Sequence, residues 1–312
     1  MRAGALDPSR LIEAAVNGDL PRKPPDWTLA VIFVVGTAAV LWVVIEAAVT
    51  RDVLNDLPDW TIGLILVGGT LIVVVAGFVL VSRLLPAWRA ERSAQVLGGV
   101  AGMVMTMFAV LLAFVIVNLY SSYNSAVNNV AAEATGLTEL VEDAGAFPPA
   151  VRHRIERAVA QYVVEIREHE FETLRNGNAD PRAEPLLANI HAAVQSYSPV
   201  TTAQQTFYTA VNEQLHTIVN ERESRLDAAE TSIPKPLLYL MILLAVLTLA
   251  VTLLIVTHNK AVDVAIIVTV AIVISSGLFT AEILQYPFSG SIAVNSEPFN
   301  SPALAELVKA YI

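Results

Sequence analysis

The sequence contains no cysteine, which excludes disulfides, thiolate metal sites and a cysteine nucleophile. It is also poor in charge. Asp, Glu, Lys and Arg make up 15% of its residues, where a soluble domain carries about 25%. The charge that remains is acidic, with a formal net value of −10. Binding to nucleic acid needs clustered Lys and Arg, so that class of partner is excluded. Catalytic signatures are missing too: there is no HExxH, P-loop, GxGxxG or GxSxG pattern, any of which would seat a metal, a phosphate or a nucleophile. The expectation is a protein that is not an enzyme and holds no cofactor and no metal.

Apolar residues take the space. They make up 55% of 312 positions, the mean hydropathy is +0.58, and they gather in five runs at residues 27–49, 60–81, 97–119, 237–257 and 264–284. A helix needs about 20 residues to cross a ~30 Å hydrocarbon layer, and each run meets that length. The expected fold class is all-α: a polytopic membrane protein with about five transmembrane helices. The acidic block at residues 120–233 forms a helical bundle inserted between spans three and four. The first run follows Arg2, Arg10, Arg22 and Lys23 and exceeds the 7–15 apolar residues of a signal peptide. It reads as an uncleaved signal anchor behind a leader at residues 1–26; cleavage would leave four spans.

Short-loop Lys and Arg set orientation. Arg22 and Lys23 precede span one, and Arg83, Arg89 and Arg92 fall between spans two and three. His258-Asn259-Lys260 joins spans four and five, whereas the loop after span one holds Arg51 against Asp52, Asp56 and Asp59. This distribution predicts a plasma-membrane protein with a cytoplasmic N-terminus and an extracytoplasmic bundle. The tail at residues 285–312 is then outside as well. The block at residues 120–232 holds sixteen Asp/Glu against eight Arg, in keeping with that placement.

Within the block, span three continues past Leu119 without Gly or Pro until Gly136. Val127, Val130, Ala134, Leu137, Val141 and Ala144 recur at spacings of three and four, a seam for antiparallel packing. Gly145 suits a left-handed helix cap. Pro148-Pro149 opens a second helix with an apolar face of Val151, Ile155, Ala158, Tyr162 and Ile166, closed by Asn176-Gly177-Asn178. Asp180-Pro181 reads as the start of a third, carrying Leu187, Ile190 and Val194. A fourth begins at a Thr201–Gln204 or Thr202–Gln205 capping box. Its buried side is expected at Phe207, Val211, Leu215, Ile218, Leu226 and Ala229, and Ser232-Ile233-Pro234 hinges it to span four. The first and last bundle helices thus run into membrane spans, so a force or ligand acting on the bundle would move spans three and four.

Five polar positions in the spans are candidate pore-lining residues: Thr106, Asn118, Ser275, Ser276 and Glu282. An intramembrane carboxylate such as Glu282 is costly without a task, although near the end of a span an interfacial role accounts for it. Thr106 and Asn118 equally suit hydrogen bonding between helices. Gly98 and Gly102 form a GxxxG that suits close helix packing. Glu165, His169 and Glu172 share one helix face with metal-ligand chemistry, but the surrounding Arg167, Glu168 and Glu170 favour a solvated surface.

After span five the tail reads Tyr286-Pro287-Phe288-Ser289-Gly290, then Glu297-Pro298-Phe299. Pro287 ends the helix, Ser289-Gly290 is a turn, and residues 292–294 suit a short extended segment. This pair of motifs resembles the bestrophin-like domain family of bacterial membrane proteins. The resemblance extends to Leu57-Pro58-Asp59-Trp60, to residues 111–117, to Glu133-Ala134 and to Arg225-Leu226 before Pro234, and covers about residues 57–300. It implies two spans, an outer helical domain, two further spans and a tail; span one lies outside it. The family's name implies kinship to anion channels. The reading is therefore a channel-like or transport-related homo-oligomer passing inorganic ions, its four or five spans being too few to enclose a conduit alone. The alternative is a non-conducting scaffold or envelope sensor that binds a partner through the bundle.

Overall fold

A computed structural model of the chain describes residues 51–84, 91–230, 233–254 and 259–312. The leader, the first apolar run, the centre of the Arg83–Arg92 loop, Ser232 of the expected hinge and His258 lie outside the described residues. Among the described residues every regular element is helical. Four helices are long and apolar enough to cross a membrane, and they account for four of the five runs.

A short helix α1 (Arg51–Asp56) leads into α2 (Asp59–Leu84). The third helix, α3 (Glu91–Ala144), is continuous for 54 residues. At 1.5 Å per residue it is about 80 Å long, more than twice the ~30 Å of a hydrocarbon core. It therefore serves as span three and as the first helix of the bundle. Then come α4 (Pro149–Glu165), a wider π turn at Ile166–Glu170, α5 (Phe171–Arg175) and α6 (Ala183–Gln195). The long α7 (Thr202–Glu230) returns to the membrane, α8 (Lys235–Leu254) and α9 (Lys260–Leu284) form the last hairpin, and α10 (Pro302–Tyr311) ends the chain.

The dominant packing is α3 against α7, with α8 continuing down the lower part of α3 and α9 lying against α2. Two main cores result. The bundle core holds Val130, Leu137, Tyr162, Ile190 and Ile218. The span core holds Val74, Phe108, Val115, Leu249 and Ile274. The α3 seam keeps four of its six expected positions, Val130, Ala134, Leu137 and Ala144, while Ala126 and Leu140 are buried in place of Val127, which is exposed, and Val141, which is half-buried. Phe207 is likewise exposed and Leu226 only half-buried. The Thr201–Gln204 capping box forms reciprocally, Gln204 N donating to Thr201 Oγ1 at 3.2 Å and Thr201 N to Gln204 Oε1 at 3.3 Å.

Three local expectations need correction. Gly145 is not left-handed; among the described residues the positive φ angles belong to Gly177 (75°) and Gly290 (78°). Helix α6 starts at Ala183, not at Pro181, because Asp180 first caps the Arg182 N–H at 2.9 Å. The tail is more ordered than a turn and a strand. It has a 3₁₀ turn at Glu297–Asn300 and then α10, which seats Leu304 and Leu307 on the bundle against α4.

One acidic contact closes α10. The Tyr311 hydroxyl donates to Glu156, whose other oxygen accepts from Arg152 Nε at 2.7 Å. Burial raises the Glu156 carboxyl, but the hydrogen bonds from Tyr311 and Arg152 outweigh it and leave it below its ordinary value. A carboxylate with a lowered folded pKa stabilises docking above its unfolded pKa and loses that contribution as pH falls through the lowered value. Proteolysis of the α10 segment should therefore accelerate below about pH 4. Tyr311→Phe should produce the same release at neutral pH, by about 1 kcal/mol. Unchanged cleavage in both cases would remove the contact from the account of the tail.

Candidate functional site

Opposite charges sit in the seam between the two long helices. Glu133 follows Val130 by three residues and precedes Leu137 by four, so it lies in α3's buried row. Arg222 and Arg225 continue the α7 row Val211, Leu215, Ile218 with the same spacing. Arg225 Nε donates to Glu133 Oε2 at 2.8 Å and Nη2 to Oε1 at 3.2 Å. Tyr162 donates to the same carboxylate at 2.6 Å. Nη2 of Arg225 also reaches Glu170 Oε2 at 2.9 Å, and Arg222 Nη2 binds Glu170 Oε1 at 3.0 Å. Glu170 is the last residue of the π turn; the extra residue per turn brings it into the core, where it is fully buried. Two Arg and two Glu thus neutralise each other inside the bundle. One partner extends outward, Glu184 accepting from Arg222 Nη1 at 2.8 Å.

An aromatic cluster links this network to the tail. The Arg225 guanidinium lies 5.4 Å from the centre of the Phe171 ring. Phe288 and Phe299 meet that ring edge-on, each at 6.2 Å. Both belong to the tail motifs. Ser289 Oγ donates to Arg175 O at 2.6 Å, and Gly290 N donates to Asn55 Oδ1 at 3.3 Å. Asn55 Nδ2 in turn donates to Arg175 O at 3.1 Å, while Ser291 Oγ donates to Asp59. Arg51 donates to Ala229 O at 2.6 Å and lies 4.8 Å over the Tyr286 ring. The motif Tyr286-Pro287-Phe288-Ser289-Gly290 is thus a strap joining the start of α2, the Asn176-Gly177 turn and the end of α7. Glu297-Pro298-Phe299 forms the 3₁₀ turn that carries Phe299 into the bundle core.

The candidate pore residues do not converge within one chain. Thr106 is exposed and bonds back to Gly102 O at 2.8 Å. Asn118 is exposed and bonds to Phe114 O at 2.8 Å, about 120° from Thr106 around α3. It lines a cavity of about 550 Å³ between α3, the α7–α8 junction and the end of α9. Ser275 is buried and bonds to Ala271 O at 2.7 Å, Ser276 is exposed, and Glu282 is buried with Gln285 Nε2 donating to it.

Gly98 and Gly102 are open, and a methyl group at either would touch nothing among the described residues. Close helix approach within the protomer instead uses Gly63 against Phe279 and Gly277 against Leu112. Gly98, Gly102, Thr106, Ala109 and Ala113 fall on one exposed face of α3, and no Asp, Glu, Lys or Arg occurs between Gly98 and Tyr120. Larger apolar side chains, Met103, Met107, Val110 and Phe114, cover the adjoining face.

Glu165 and His169 approach to 3.4 Å, but Arg182 Nε takes the same carboxylate oxygen at 3.0 Å. No group of three or more His, Asp or Glu is placed to hold a metal among the described residues.

Comparison with known proteins places this geometry. A profile of the Bestrophin-like domain matches residues 68–299. A crystal structure of a bacterial bestrophin homologue from Klebsiella pneumoniae, carrying a single substitution, superposes with a TM-score of 0.56. It is 14% identical, over 78% of this chain and 97% of that one. A second variant of the same protein also gives 0.56, at 13% identity over 80% and 97%. A crystal structure described as a membrane protein gives 0.52, at 15% identity over 77% and 95%. At such identities the likeness establishes the fold. No curated protein matches the chain by sequence.

Proposed function

The chain belongs to the Bestrophin-like domain family, and from that premise we propose that it is a homo-oligomeric ion channel of the bacterial plasma membrane, assembled around α3. The observation that carries this reading is the exposed strip of small residues on α3. Gly98, Gly102, Ala109 and Ala113 leave room for a narrow conduit or for close approach of identical helices about an axis. Thr106 supplies a hydroxyl on that strip. The strip holds no fixed charge, so selectivity among small inorganic ions rests on width and dehydration. Asn118, Ser275, Ser276 and Glu282 stand off this face and act at its ends or between protomers.

The proposed topology keeps the N-terminus cytoplasmic, with the anchor at residues 27–49 and hairpins at 50–119 and 234–284. The bundle at 120–233 and the tail at 285–312 lie outside the cytoplasm. The Lys and Arg distribution of the short loops supports it. A reporter fused near Asn178 should be active outside the cytoplasm; activity only inside would invert the arrangement.

Purified protein in liposomes should pass ions. Ala113→Trp, which fills the small strip, should cut that flux at least tenfold. Ile72→Trp should leave it unchanged, since Ile72 is 72% exposed on α2 and away from α3's strip. No flux across a range of salts, pH values and voltages would end the channel reading.

A second reading is a non-conducting scaffold or envelope sensor. It is favoured by a groove of about 630 Å³ on the bundle between α6 and α7, lined by Glu184, Leu187, His191, Arg222 and Leu226. Cross-linking in cells would then recover a partner that is lost when the groove is filled by Ala188→Trp.

A further inference from the structure

The groove of about 630 Å³ between α6 and α7 has charged groups of both signs at one end and an apolar bed along the rest. Helix α6 packs chiefly on α4 and touches α7 little, which leaves the groove open. Its charged end grows out of the buried ion pairs. Arg222 lines it although the residue is only 5% exposed. Glu170 holds the Nη2 of Arg222 and Glu184 holds Nη1. The Nε is buried with no acceptor among the described residues. A buried donor without a partner is costly, so the groove lacks one hydrogen-bond acceptor at this point. Two carboxylates stand beside it, one from each wall. Glu184, on α6, meets Arg222 through Oε2, and its side chain is 72% exposed. Glu223, on α7, is exposed and lines the groove.

Resting on the second reading, in which the bundle binds a partner, we propose that the groove takes the free N-terminus of a short apolar peptide. An N-terminal residue carries an ammonium and, beside it, a carbonyl oxygen. The ammonium donates to Glu184 and Glu223, and the carbonyl oxygen is the acceptor that Arg222 Nε lacks. Hydrogen bonds with an ionised partner are the stronger ones. The following residues run along α6, with their side chains on Leu187, Ala188, Ala192 and Val219. From Glu184 to Gln195 that wall is about 16 Å long, which an extended chain covers in about five residues. His191 and Gln195 offer side-chain hydrogen bonds to the peptide backbone along this stretch. A free carboxylate in place of the ammonium would face Glu184 and Glu223, so the same lining tells the two ends of a peptide apart. Blocking the N-terminus removes the charge that the two carboxylates hold.

Isothermal titration calorimetry of the full chain in detergent tests this, with Leu-Ala-Leu-Ala amide as the probe and its N-acetylated form as the control. The free amine should bind at least tenfold more tightly than the acetylated peptide. Glu223→Gln, a change at an exposed position, should reduce that preference at least threefold, and Ala188→Trp should abolish binding. Should the Trp variant fail to fold, the comparison of the two peptides on the wild-type protein decides. Equal binding of the two, or no binding of the free amine at millimolar concentration, would overturn the proposal. A cross-linked partner still lost with Ala188→Trp would in that case keep the scaffold reading and remove only the peptide chemistry. Selective peptide binding with no partner recovered in cells would keep the site and remove the scaffold reading.

Discussion

Glu133→Ala is expected to destabilise the bundle by about 3–5 kcal/mol, the cost of stranding one member of a buried ion pair. Glu133 is fully buried and accepts three hydrogen bonds, two from Arg225 and one from Tyr162. Its removal leaves the guanidinium to Glu170 alone, with Arg225 Nη1 already lacking a partner among the described residues. In detergent the melting temperature should fall by roughly 10 °C. The double variant Glu133→Met, Arg225→Met takes out both charges and leaves Glu170 with Arg222. It should recover most of the loss, because apolar residues of similar volume replace buried pairs at little cost. A double variant as unstable as the single one would mean that the charges are not the cause.

Phe299→Ala should be nearly as damaging, by about 3–5 kcal/mol for a large aromatic lost from a packed core. Phe299 is fully buried and meets Phe171 edge-on. Phe171 is in turn covered by the Arg225 guanidinium. The variant should therefore speed hydrogen exchange both in residues 285–312 and in the α5 segment. A substitution at Ile292, which is 38% exposed, should stay within about 0.5 kcal/mol. Exchange confined to the tail would show that the aromatic cluster does not connect it to the ion pairs.

Spans and bundle helices were legible because burial leaves a period. Ile155, Ala158, Tyr162 and Ile166 follow it, and all four are buried. The capping box at Thr201 was legible because its chemistry is local. The buried charges were not, although their positions follow the rule that exposed Leu215 and Ile218. A charged residue in an apolar seam reads as an interruption until a partner appears in the facing seam, 92 positions away for Glu133 and Arg225. The π turn was hidden for a related reason. Ile166–Glu170 is charged at four of its five positions if His169 is counted, and only the added residue per turn sends Glu170 inward. Gly98 and Gly102 show the limit of a small-residue pattern, which signals room for a neighbour without saying which chain supplies it.

The uninterrupted α3 has a mechanical consequence. Between Met103 and Thr135 it holds neither Pro nor Gly, the usual causes of a sharp kink. Half of it stands in the bundle and half in the bilayer, so it acts as a lever, held near its middle where the Tyr123 hydroxyl donates to Ile292 O of the tail at 2.9 Å. An arm of about 40 Å turned through about 10° sweeps its far end by roughly 7 Å. In a symmetric ring such a swing, repeated in every subunit, would work as an iris driven from outside the membrane.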